Sequence, residues 1–140
     1  MTMYSILQNA HAGWAYLVLL LVLVAVINAL ANLSKAFSPK DRKIALFALI
    51  ASHLQLVFGL ILYFVSPRGM AALNQLSDKA MRLTALEHPL INILALVLIT
   101  MGWSKHKKAT DSAAKFKSIS MYYGLGLVLI LSRIPWSLWF

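Results

Sequence analysis

Three histidines stand at chemically awkward places in this chain. His53 lies inside the run Ala51-Ser52-His53-Leu54-Gln55-Leu56-Val57-Phe58-Gly59-Leu60-Ile61-Leu62-Tyr63-Phe64. His11 and His88 open two other apolar stretches, and Arg133 lies inside a fourth. An ionisable side chain within an apolar span needs a second polar group, a metal, a cofactor or a path to water. Counting about 1.5 Å of rise per residue from the end that carries the basic loops, His53 comes at roughly 14 Å and Arg133 at roughly 21 Å. On the same count His88 comes at roughly 22 Å and His11 at roughly 30 Å or more. Three of these groups, from three helices, thus fall between the midplane and the far boundary. Neutral imidazoles on facing helices suit the iron of haem b, whose flat apolar ring packs against Leu, Val and Phe. Its propionates ask for a cation near a surface, a role that fits Arg133. Gly59, on the helix of His53, allows close approach of the ring.

Each group also has a plainer reading. His11 serves as an interfacial histidine, His88 caps a helix beside Pro89 or pairs with Glu87, and His53 bonds a polar group on its own or a neighbouring helix. Arg133 snorkels to the interface or pairs with Glu87. His106, among lysines, is expected to be solvated. A non-haem metal site from His11, His53, His88 and Glu87 ranks below haem: neighbours on a helix diverge by about 100°, and the spread in depth is large for a compact tetrahedral site. There is no GxSxG, HExxH or phosphate loop, so hydrolase and nucleotide chemistry have no footing. The few polar groups offer little of the broken helices or polar lining of a transporter or channel.

These residues are positioned by a chain built for a membrane. Of its 140 residues 61% are hydrophobic and 12% charged, whereas a soluble domain carries about twice that charged share. The expectation is one all-α membrane domain over 1–140, a four-helix bundle with crossings at about 13–33, 43–66, 83–103 and 119–139 and a short amphipathic segment at about 70–82. Trp14 and Tyr16 read as interface anchors. Ser38-Pro39 reads as an N-cap with proline at the first helical position, and Pro89 predicts a kink or a restart near His88. The absence of cysteine excludes disulfides, iron–sulfur clusters, thiolate–haem ligation and c-type attachment.

The net charge of +9 resides mainly in two loops. Lys35, Lys40, Arg42 and Lys43 lie in the first, and Lys105, Lys107, Lys108, Lys115 and Lys117 in the third; together they are nine of the 13 basic residues. Such placement points to membrane lipid as the partner and away from nucleic acid. Under the positive-inside rule both termini and the middle loop face outward.

The motifs Ala10-His11, Ser52-His53-Leu54-Gln55-Leu56, Gly59-Leu60, Tyr63-Phe64-Val65-Ser66-Pro67, Glu87-His88 and Ile134-Pro135-Trp136 resemble those of small four-helix membrane proteins of Bacteroidetes-type bacteria, labelled "cytochrome B" or cytochrome b-like. The resemblance covers nearly the whole chain. It implies a multi-pass electron carrier of the bacterial inner membrane that binds haem b, with His11, His53 and His88 as candidate ligands. That family often has serine and a basic residue after the first histidine, where this chain has Ala12 and Gly13.

The resulting expectation is a single b-haem with His53 and His88 as axial ligands, His11 as the substitute for either, and Arg133 on a propionate. Its role would be single-electron transfer between membrane quinol and an outer-face acceptor, with Tyr63 near the quinone. The alternative is a cofactor-free accessory subunit of a larger respiratory or other membrane complex.

Overall fold

The computed structural model describes residues 2–139. Four long helices dominate them: α1 (Met3–Ala31), α2 (Pro39–Val65), α3 (Lys79–Lys108) and α4 (Ser112–Ser132). A 3₁₀ segment (Met70–Gln75) lies between α2 and α3, and a last short helix, α5, spans Trp136–Trp139. All four long helices are long and apolar enough to cross a membrane, as expected of a multi-pass membrane protein.

The helix starts follow from local chemistry. Thr2 and Ser5 form a capping box at α1, and Ser38 and Asp41 form one at α2 around Pro39. The Asp41 carboxylate also accepts from Asn28 Nδ2 at 2.9 Å, tying the ends of α1 and α2 together. Asp111 caps α4. That helix stops at Ser132, because Pro135 disfavours helical geometry at Ile134 and cannot donate a backbone hydrogen bond. Residues 133–139 therefore leave the line of α4 instead of completing it.

One narrow stripe of each helix is buried. On α1 it is Val18, Val22, Ala25 and Ala29; on α2 it is Asp41, Ala45, Ala48, Ala51 and Ser52. On α4 it is Phe116, Ile119, Tyr123, Gly126 and Ile130. Small residues in these stripes let backbones approach, the device that serves helix association where lipid gives no hydrophobic drive. Gly126 shows it: a Cβ there would lie 2.8 Å from Ile99 Cγ1 and 3.1 Å from Ala95 O of α3. Neighbours in the ring are α1 with α2, α1 with α4 and α4 with α3; the closing seam, α2 against α3, is the loosest. Leu20, Ile27, Phe47, Val57, Phe64, Val97, Leu125 and Val128 are exposed on the outside, an apolar surface that suits lipid.

The end carrying the basic loops is closed by rings. Phe37 packs on Phe116 at 4.9 Å and on His106 at 5.4 Å between centroids. His106 is 2% exposed, not solvated as its lysine-rich surroundings suggest. Only residues 109–111 separate α3 from α4, so His106 still continues the inward stripe of Ile99, Gly102 and Trp103. Its Nδ1 bonds Trp103 O at 2.6 Å.

Candidate functional site

Pro89 shapes the opposite end. It has no N–H, so the carbonyl of Ala85, four residues back, lacks its helical donor. A π turn over Leu83–Glu87 accommodates the break, with the His88 N–H reaching back to Leu83 O. Tyr63 of α2 donates its hydroxyl to the freed Ala85 carbonyl at 2.9 Å. Pro89 thereby sets both the direction of His88 and the junction of α2 with α3.

His88 Nδ1 lies 2.8 Å from Arg133 O. A carbonyl only accepts, so Nδ1 carries the proton and Nε2 keeps its lone pair. Asn92, one turn further on, donates to His88 O at 2.6 Å. Its amide also lies 3.2 Å from His88 Nδ1, a contact between two donors and not a second bond.

His11 of α1 stands opposite, its ring centroid 6.1 Å from that of His88 and its plane at 87° to it. The ring fits over Gly59, where a Cβ would come 3.1 Å from His11 Cε1. Gln55 Nε2 donates to the His11 carbonyl at 2.7 Å. His11 Nδ1 and Gln55 Oε1 are themselves buried without a hydrogen-bond partner. Trp14, read from sequence as an interface anchor, donates to Ala51 O at 2.8 Å and rests edge-on against Phe58, pinning α1 to α2.

Both histidines line a cavity of about 220 Å³. Its walls are largely aliphatic, from Val18, Leu19, Leu56, Leu60, Ile130 and Ile134. Tyr4, Ser66 and Arg68 add polar groups on the side of the chain's N-terminus. Arg68 is the cation in this lining. Arg133 is not part of it: its Nε is 3.6 Å from Glu87 Oε1, and its Nη1 donates to Ser132 O at 2.8 Å. Glu87 also pairs with Arg82 at 3.1 Å.

His53 belongs to another place. It is exposed on the outer side of α2, with Nδ1 2.8 Å from Leu49 O, and lines a separate groove between α2 and α3. The structure thus brings His11 and His88 together and does not bring His53 to either. Gly59, expected to make room for a flat ring, makes room for the His11 imidazole instead. Sequence reasoning missed Asn92 and Arg68. Asn92 follows His88 by one helical turn, the spacing at which a side chain reaches back to the preceding backbone, and that spacing is the signal for it.

Two imidazoles on opposite sides of one metal ion, each nitrogen about 2 Å from it, have ring centroids about 6 Å apart. The His11–His88 spacing matches. Among the described residues no three His, Cys, Asp or Glu side chains gather as a metal group. A haem needs only two protein ligands, since its ring supplies the other four nitrogens. The apolar walls, the free Nε2 of His88 and the arginine in the lining suit that group. No family model, curated protein or solved structure matches the chain.

Proposed function

We propose that this chain is a b-type haem electron carrier of a bacterial inner membrane, akin to the cytochrome b-like proteins it resembles, in which His11 and His88 would hold the haem iron. The observation that carries the reading is the pair itself: two perpendicular imidazoles from different helices, 6.1 Å apart, on one aliphatic cavity. Haem, when bound, supplies a one-electron couple. The chain's own groups do the rest. Arg133 O holds the proton on His88 Nδ1, which fixes the tautomer and aims Nε2. Gly59 admits the His11 ring, and the aliphatic walls exclude water. Arg68 is the cation for the propionates, while Arg133 stays with Glu87. The positive-inside rule puts the termini outside and the histidine pair near the outer face. The role is single-electron transfer from membrane quinol to an outer-face acceptor.

The test is a dithionite-reduced minus oxidised visible spectrum of detergent-purified protein. A sharp b-type α-band should be present in wild type and His53→Ala, and absent in His11→Ala and His88→Ala. A featureless spectrum from folded, haem-supplied wild type would sink the reading in favour of a cofactor-free subunit. A band surviving in both of the last two variants would move the ligands elsewhere.

A further inference from the structure

His53 is a base whose one donor is a distant, shared hydroxyl. It sits in the middle of the 27-residue α2, facing outward. Its Nδ1 is 2.8 Å from Leu49 O, so that nitrogen carries the proton and Nε2 presents a lone pair. The group beside Nε2 is Thr100 Oγ1 at 3.5 Å, a long contact, and its one hydroxyl proton is shared with Leu96 O, the nearer acceptor at 2.8 Å. Nε2 therefore faces the α2–α3 groove as a weakly met acceptor, free to take a better donor. In hydrocarbon a weakly met acceptor is costly, and lipid tails carry no O–H or N–H to improve it.

The groove defines what can meet that need. At the level of His53 its walls are Leu56, Ile93, Leu96 and Val97; Ser104, Lys105 and Lys108 lie toward the basic end. An occupant that reaches mid-helix must be apolar, able to diffuse within the bilayer, and equipped with a hydroxyl donor. We infer that this groove binds the ring of a lipid-soluble quinol, whose hydroxyl donates to His53 Nε2. Anionic phospholipid fits less well: its phosphate carries no proton to give and belongs with Lys105 and Lys108 at the membrane boundary. The corresponding quinone offers only carbonyl oxygens, so Nε2 favours the reduced form. Leu56, Ile93 and Leu96 line both this groove and the His11–His88 cavity. A single layer of side chains therefore separates the two. The inference deepens the electron-carrier reading by naming where its quinol would bind, and its test stands apart from the haem spectrum.

The experiment is an anaerobic titration of histidine-¹⁵N-labelled protein in nanodiscs of neutral lipid, using a short-tail quinol and then its quinone. The His53 resonances are identified by their loss in His53→Leu. We expect the Nε2 signal to shift with quinol, and affinity to fall by about tenfold for the quinone and for His53→Leu, the worth of one good hydrogen bond. Lys105→Ala and Lys108→Ala should bind quinol as wild type does. Quinol binding without an α-band would keep the groove and discard the haem; an α-band with no shift of Nε2 would do the reverse. A shift that needs anionic lipid and both lysines, or that follows protein concentration into a dimer, would overturn the assignment in favour of a headgroup or a second copy.

Discussion

The two ends of this bundle are held by different means. At the basic-loop end Phe37, Trp103, His106 and Phe116 stack into one another, and Tyr123, 0% exposed, crosses the bundle to donate to Ala45 O at 2.8 Å. These ring centroids lie 4.5–5.4 Å apart. At the other end the helices are linked by four side chains that each reach a backbone carbonyl: Trp14 to Ala51, Gln55 to His11, Tyr63 to Ala85 and His88 to Arg133. Such tethers fix the spacing of helices without filling the space between them. The contrast shows how a chain this small confines tight packing to one end and leaves the other hollow.

Substitutions should therefore separate by end. The largest loss of stability belongs to Phe116→Ala, which empties a fully buried ring site and should cost about 3–5 kcal/mol in reversible unfolding from mixed detergent micelles. Its effect on the His11 and His88 nuclear resonances should be slight; a large shift would show that the ends are coupled. Next comes Gly126→Leu, where the new side chain must displace Ile99 and the backbone of Ala95; overpacking of this kind costs about 1–3 kcal/mol. Tyr63→Phe removes one tether, at about 1 kcal/mol. Its sharper readout is faster amide exchange across Leu83–Glu87, and unchanged exchange there would mean the tether is idle. Smallest is Arg133→Ala: the Glu87 pair is about half exposed and should be worth under about 1 kcal/mol, with the α-band retained.

Gly59→Leu cuts across that order. It touches no tightly packed core residue, yet a side chain at Gly59 meets the His11 ring. It should leave unfolding nearly unchanged while abolishing the α-band and moving the His11 resonances. Were stability to fall as far as in Phe116→Ala, the hollow end would have to be counted as core.

The membrane class and the four helices were legible from apolar length and the Ser38-Pro39 cap, because both depend on residues adjacent in sequence. The chemistry of the site was legible only by type. Depth along a helix follows from counting residues. Which way a side chain faces depends on rotation about the helix axis, and on helices apolar all round no stripe reveals it. His53 was placed on the inner side by depth alone, and its rotation puts it outside. His106 failed in the opposite direction, since lysines on a helix face toward water say nothing about the neighbour that faces inward. Arg133 lies outside the cavity beside Glu87, the pairing its plainer reading allowed, while Arg68, to which the sequence reading gave no role, lines it.

The π turn at Leu83–Glu87 carries one residue more than an α-helical path between the same points would need. Removing a single residue there would let the helix run regularly and turn the preceding segment Lys79–Arg82 by about 100°, while His88 and everything beyond the break kept their place in the bundle. One codon's insertion or deletion in this turn would therefore re-aim the segment that carries Asp78, Lys79 and Arg82 without moving the histidine pair.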